Sequence, residues 1–473
     1  MMVNDRFVRR GKRMELIERI NDSIGGVVWG FPAMALLIGT GVYLSIRTGF
    51  IQIFEFKYAM RHTLGKLFKK QQAGSGSITP FQAMTTALAA TAGTGNIAGI
   101  TYAITLGGPG AVFWLWVSAL IGMCTKYAEV VLAIKFRCRN KNGDWVGGSM
   151  YYIREGLGKN WGWLSVMFCI FGSLAAFGIG NAVQVGNITD SINSALAAFA
   201  PAAAAHEGAI NLIVGLIAAA VAALVLLGGI KRLGRATEMI VPFMSIVYIG
   251  AALVVIIANI GSVGSVFAEI FRSALSPAAA VGGAAGISMK TAISWGLKRG
   301  VFSNEAGLGS APIAHAASSE TDPVKQGLYG IFEVFIDTIV MCTITALTLL
   351  LSGVDLDYGV QGTIALNMDA FATVFGAKGA AAIISSCTAL FALATVLGWS
   401  LYGVRCCEYL LGPKSVKPYL MIYVLVTVVG ATMDLGLAWK ISDTLNGLMA
   451  LPNLIALLAL SGVVVKVTKS HFS

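Results

Sequence analysis

Thr91-Ala92-Gly93-Thr94-Gly95-Asn96-Ile97-Ala98-Gly99 sits inside an apolar stretch, Pro80 to Thr105, that is otherwise long enough to cross a bilayer. Three glycines and an asparagine at its middle weaken the helical ladder where lipid offers no replacement hydrogen bonds. A broken helix at membrane depth survives only packed in protein or lining a wet cavity. Its freed N–H and C=O groups are then ready ligands for a small charged solute and a coupling ion.

Other polar residues fall inside apolar runs. Asn181 and Gln184 lie three apart, a spacing that puts them on one helical face, as substrate contacts or as interhelical glue. Thr395 and Trp399 share a face at four-residue spacing, and Trp399 either walls a pocket or packs the core. Gly282-Gly283-Ala284-Ala285-Gly286 is a second glycine-rich interruption, or a site of close helix packing. Asp337, Glu333, Lys290, Lys126 and Glu129 are ionisable groups inside spans and so functional candidates by default. Lys126 and Glu129 read best as a structural pair at the inner edge, and Asp337 fits either structural pairing or an ion path.

The elements that must position these residues follow from composition. Hydrophobic residues make up 56% of the chain and charged residues 12%, with mean hydropathy +0.76. That describes an all-α polytopic membrane protein embedded in a lipid bilayer. Runs such as Ile210 to Leu227, almost continuously apolar, are unlike the short alternating strands of a β-barrel. Seven scattered cysteines without a CxxC suggest neither disulfides nor a zinc site. The net charge of +11 reads as cytoplasmic loop residues, not as a nucleic-acid surface.

Eleven spans are expected: an accessory one near Val27–Ile46, then ten core helices near Pro80–Thr105, Ala111–Ile134, Trp163–Val185, Asn211–Leu227, Met239–Ile257, Ala278–Leu297, Leu328–Leu351, Ala380–Leu401, Tyr419–Met433 and Thr444–Val465. Lys and Arg concentrate in alternate loops, among them Arg137, Lys231, Lys298, Arg299, Lys325, Arg405 and Lys466, while Arg272, Lys378 and Lys440 stand alone on the other side. The bias places the C-terminus in the cytoplasm and the N-terminus outside. The basic residues of 1–26 dissent, and a start at Met14 would remove most of them. No cleavable signal is apparent.

The two interrupted spans are the first and the sixth core helices. They lie five spans apart, so residues 80–257 and 278–465 form two five-helix repeats of opposite orientation, followed by a tail at 466–473. Interrupted helices at matching positions of inverted halves point to the binding site of a secondary transporter.

Gly107-Gly108-Pro109-Gly110-Ala111-Val112-Phe113-Trp114-Leu115-Trp116 resembles the signature of the alanine/glycine:cation symporter family, which usually has Met where Leu115 stands. Ser303-Asn304-Glu305-Ala306-Gly307-Leu308-Gly309-Ser310-Ala311-Pro312-Ile313-Ala314-His315-Ala316 is similar to its other long motif. Gly93-Thr94-Gly95-Asn96-Ile97 and Gly147-Gly148-Ser149-Met150-Tyr151-Tyr152 match too. The likeness runs from Met14 onward. It implies a leucine-transporter-like fold, a 5+5 inverted repeat with discontinuous first and sixth core helices and one extra N-terminal helix. It also implies uptake of a small amino acid with sodium across a bacterial or archaeal cell membrane.

The implied substrate is a zwitterion. N–H groups of Thr94, Gly95 and Asn96, at a restarting helix, suit its carboxylate without an arginine. By the resemblance, Thr94 and Gly95 hold the carboxylate and the Asn96 side chain faces a cation. Gly282, Gly283 and Gly286 would offer carbonyls to the ammonium, with Asn181, Gln184, Thr395 and Trp399 around the ligand. Sodium, a hard cation, would take oxygens from Thr395, Thr91, Asn96 and the carbonyls of Ala89 and Ala92. No cofactor beyond sodium is expected. An enzyme is disfavoured by four histidines without HExxH, and Gly93-x-Gly95-x-x-x-Gly99 has one residue too many for a dinucleotide loop. A channel and a proton-coupled carrier are the remaining rivals.

Overall fold

The computed structural model describes the chain apart from residues 1, 66–73, 75–76, 277–287, 361 and 434, and the side chains of 2–14, 204, 435, 437 and 438. Among the described residues, eight helices are long and apolar enough to cross a membrane. The three expected spans missing from that set have physical reasons to fall short. The first and sixth core helices are each split, and the ninth, Val416–Gly430, has 15 residues.

A helix Met2–Val28 leads into the accessory helix Phe31–Arg47, which Pro32 helps to start. The first core helix begins at a capping box: Gln82 N–H donates to Thr79 Oγ1 and Thr79 N–H to Gln82 Oε1, both at 3.1 Å. It runs Pro80–Thr91, passes through a 3-10 turn at Thr94–Asn96, and resumes as Ala98–Gly107. The second, Gly110–Lys135, is the inner post of the bundle, with 83% of its most apolar window buried. The fourth (Glu207–Leu226) and fifth (Gly229–Ala258) have 28% and 33% buried and turn Ile213, Leu216, Phe243 and Ile246 outward, as lipid-facing helices do.

The third core helix joins Gly162–Phe177 to Val183–Phe199 through a π-helical turn at Gly178–Ala182, and so extends well past the expected end at Val185. The seventh joins Pro323–Val334 to Thr343–Leu351 through another at Phe335–Cys342. The eighth belongs to a helix Ile364–Leu411 that Gly376 kinks with φ 70° and ψ 164°. The tenth is Leu435–Ala459, continued by Ser461–Phe472.

The sixth core helix departs most from expectation. The interruption expected at Gly282, Gly283 and Gly286 lies outside the described residues. The helix runs Met289–Asn304, breaks over Glu305–Ser310, and resumes as Ala311–His315. The break is built by left-handed Glu305 (φ 53°), Gly307 (φ 94°) and Gly309 (φ 81°). Lys298 and Arg299, expected in a cytoplasmic loop, therefore sit within the helix. They are accommodated because Lys298 Nζ lies 3.3 Å from Asp443 Oδ2 and Arg299 packs over aromatic rings. Lys290, expected inside the span, is exposed in the first turn.

Arg137 ties the second core helix to the end of the sixth, donating to the carbonyls of Ala316, Ser318 and Glu320. Its partial burial pushes its pKa down to about 10, which leaves it charged at neutral pH.

Candidate functional site

The break in the first core helix falls where the sequence places it, but of the three expected amides that of Asn96 is used within the turn. Ala92 N–H closes the first segment on Leu88 O (2.7 Å) and Asn96 N–H turns to Gly93 O (3.2 Å). The N–H groups of Thr94 and Gly95 take no backbone partner among the described residues. Free amides at the start of a helix are groups suited to an anion. Beside Gly95 stands Phe302 of the sixth core helix. A methyl group built on Gly95 would lie 3.9 Å from the Phe302 ring, in ordinary contact, so the gap between backbone and ring has room for a carbon.

Thr94 is held by the third core helix. Its Oγ1 donates to Gln184 Oε1 (3.0 Å) and accepts from Asn187 Nδ2 (2.8 Å). Gln184 is brought there by the π-helical turn, and its Nε2 donates to Ile179 O five residues back. The same wide turn separates Asn181 from the face it was expected to share with Gln184. Asn181 Nδ2 donates to Tyr423 O of the ninth helix at 2.7 Å, the interhelical bond that was one of its two readings.

On the other side Thr395 reaches the break. Its Oγ1 lies 3.1 Å from both Ala89 O and Phe391 O. Gly93 and Gly398 permit the approach. A methyl group on Gly93 would collide with Thr395 Oγ1, and one on Gly398 would come within 2.7 Å of Ala90 N. Ala89 and Thr395 are thus together as expected, and Ala92 ends the same segment. Thr91 turns its hydroxyl to its own helix, at 3.4 Å from Ala87 O and 3.3 Å from Leu88 O.

Asn96 points elsewhere. Its Nδ2 donates to Asp337 Oδ1 at 2.8 Å, while its Oδ1 is buried without a hydrogen-bond partner among the described residues. Ser303 Oγ and Thr338 Oγ1 donate to Asp337 Oδ2 at 2.7 and 2.9 Å. Asp337 is fully buried and has no salt bridge among the described residues. Glu333, one turn earlier, is paired with Lys126 (3.2 Å) and His315 (3.0 Å). The structure thereby separates two carboxylates that looked equivalent in sequence.

Lys126 and Glu129 are fully buried and do not form the expected edge pair. Glu129 Oε1 accepts the N–H groups of Gly307 and Gly309 and the Nδ2 of Asn453 (3.0, 3.1 and 2.6 Å), and so supports the break in the sixth helix. Trp399 supports it as well, its Nε1 donating to Glu305 Oε1 at 3.0 Å. Trp399 is 1% exposed, packed on Gly180 and edge-on to Tyr402. The residue facing Gly95 is Phe302. Sequence reasoning missed Phe302, Asn187 and Ser303 in these roles. The long motif from Ser303 onward was the available signal, because it spans the break.

A model of the sodium:alanine symporter family matches residues 14–473. The sodium/alanine symporter AgcS of Methanococcus maripaludis is 46% identical over 462 residues, covering 97% of each chain. The probable sodium/glutamine symporter GlnT of Bacillus subtilis is 34% identical over 458 residues, covering 97% of this chain and 91% of its own. The structure is similar to that of MhsT in complex with L-phenylalanine, with TM-score 0.56, 11% identity, and coverage of 84% of this chain and 99% of that one. The fold is leucine-transporter-like.

Proposed function

The chain belongs to the sodium:alanine symporter family, a multi-pass membrane transporter that couples amino-acid movement to sodium and not an enzyme, and from that premise we propose that it imports alanine or glycine by alternating access. The observation that carries this reading is the pair of amides at Thr94 and Gly95 without a backbone partner among the described residues, beside the Phe302 ring, which lies 3.9 Å from the position of a methyl group on Gly95. The amides receive a carboxylate, Gly95 lets the backbone meet it, and the ring limits the side chain to a methyl group or less. Gln184 and Asn187 position Thr94.

Sodium binds in two places in this account. Thr395 Oγ1 with the carbonyls of Ala89 and Ala92 forms a neutral oxygen site. Asp337 with Ser303 and the unpartnered Oδ1 of Asn96 forms a charged one, in which the cation supplies the missing countercharge of a buried carboxylate. The two sites flank the break, so filling them rigidifies the segment that binds substrate. Residues 80–257 and 278–465 act as inverted halves, with the basic loops and the C-terminus cytoplasmic.

Equilibrium binding of radiolabelled alanine to purified protein, in sodium or in choline, tests the reading. Saturable binding that requires sodium supports it, and equal binding in both salts overturns the coupling. Counterflow from preloaded vesicles separates a carrier from a channel.

A further inference from the structure

At the end of the bundle that carries the basic loops, a cavity of about 270 Å³ lies between the start of the fifth core helix, the eighth and ninth helices, and the hairpin 138–146 that follows the second. Much of its wall is apolar: Leu226, Ile230, Leu233, Leu401, Val404 and Leu420. Its charged lining is Asp144, Arg405, Glu408 and Lys417.

Three of these charges answer one another. Arg405 Nη1 lies 2.5 Å from Glu408 Oε2, and its Nη2 lies 3.8 Å from Asp144 Oδ2. Glu408 Oε1 accepts from Asn140 Nδ2 at 2.9 Å, which ties the hairpin to the eighth helix. Lys417 is exposed, and so are three cations next to lining residues in sequence: Lys231 and Arg232 after Ile230, and Lys414 after Pro413. None of these four has an ion pair among the described residues, although Arg232 Nη1 donates to Leu224 O at 2.7 Å. Lys231, Arg232, Arg405, Lys414 and Lys417 thus outweigh Asp144 and Glu408, and the surplus is positive.

The surroundings of the cavity narrow its occupant. Leu224, Leu227 and Leu411, close in sequence to its lining, are 67, 71 and 74% exposed. The lipid-facing surface meets the basic loops here, the level at which phospholipid headgroups lie. A free phosphate would leave the apolar wall uncovered, and a neutral apolar molecule would leave the cations unanswered. A lipid with a negative headgroup answers both: its phosphate takes N–H bonds from the lysines, and an acyl chain covers Ile230, Leu233, Val404 and Leu420. We propose that this cavity binds one anionic phospholipid, of the phosphatidylglycerol type, from the leaflet on the side of the basic loops. The bound lipid bridges the fifth helix to the ninth. The site requires only that the bundle spans a bilayer, and so stands apart from the central amino-acid site.

Native mass spectrometry of the delipidated full chain in neutral detergent, titrated with phosphatidylglycerol or with phosphatidylcholine of the same acyl chains, tests it. One phosphatidylglycerol per chain is expected to bind at least about tenfold more tightly than phosphatidylcholine. Lys414→Gln with Lys417→Gln should remove that preference, whereas Lys378→Gln, at an exposed lysine outside the basic loops, should keep it. Leu420→Trp, which fills the apolar part, should weaken phosphatidylglycerol by at least about tenfold with its headgroup partners intact; Val404→Phe is a second filling variant, and melting temperatures show which of them fold. Glycerol phosphate in excess should not displace the lipid. Equal affinity for the two lipids, or a preference that survives the lysine pair, overturns the anionic site. Full phosphatidylglycerol binding in a folded filling variant, or displacement by glycerol phosphate, leaves only an ion site on surface lysines and overturns the lipid site in this cavity.

Discussion

Asn96 Nδ2 and Asp337 Oδ1 meet at 2.8 Å, across the break in the first core helix and the π-helical turn of the seventh. The contact links the segment that carries the unpartnered amides of Thr94 and Gly95 to a buried carboxylate without a basic partner among the described residues. A carboxylate so placed needs a countercharge when ionised, and in this account the coupling cation provides it.

Asp337→Asn keeps the size and the polar neighbours and removes the charge. The half-saturating sodium concentration for alanine uptake should rise at least about tenfold, with the purified protein still folded. Uptake measured against sodium concentration checks it. An unchanged sodium dependence would make Asp337 a structural anchor.

Gly95→Ala separates folding from binding. The added methyl group meets the Phe302 ring at an ordinary 3.9 Å, so thermal stability should stay within about 1 kcal/mol of the parent. The same methyl group occupies the space assigned to the ligand, and alanine affinity should fall at least about tenfold. Thermal unfolding and equilibrium binding on one preparation decide this; loss of both together would make Gly95 a packing glycine.

Gly93→Ala should act in the opposite way. Its methyl group would run into Thr395 Oγ1, which forces the first and eighth helices apart at a cost of about 1–3 kcal/mol. Lower melting temperature and a raised sodium requirement are expected together. A normal sodium dependence would remove Thr395 from the cation site.

The residue that sets side-chain size should be Phe302 and not Trp399. Phe302→Ala should raise uptake of leucine relative to alanine. Trp399→Phe removes the donor to Glu305 Oε1 and should lower stability by about 1–3 kcal/mol while preserving the ranking of substrates. Competition by a panel of amino acids reads out both. A changed ranking in Trp399→Phe alone would return Trp399 to the pocket wall.

These assignments show where the sequence was legible. The first break could be read because Gly93, Gly95 and Asn96 interrupt an otherwise apolar run, and Thr395, grouped with Ala89 on the oxygen chemistry of a hard cation, lies 3.1 Å from its carbonyl. The sixth break was harder. Glu305 adopts a left-handed conformation that no residue-level preference announces, and its stability comes from Glu129, which lies 176 residues earlier in the chain. Asn181 and Gln184 parted because a π-helical turn leaves no mark in hydrophobic spacing. Lys298 and Arg299 resembled loop charges because their compensation, by Asp443 and aromatic rings, is tertiary.

The topology is tested with single cysteines in a cysteine-free background at Ser194, near the end of the third core helix, and Ser415, before the ninth. They should label from opposite sides of sealed vesicles. Labelling from one side would remove the inverted-repeat argument.

The central claim is tested most directly by alanine uptake into proteoliposomes with sodium and proton gradients imposed separately. An inward sodium gradient alone should drive accumulation above equilibrium, and a proton gradient alone should not. Accumulation driven by the proton gradient, with none from sodium, would contradict the account and make Asp337 a proton carrier.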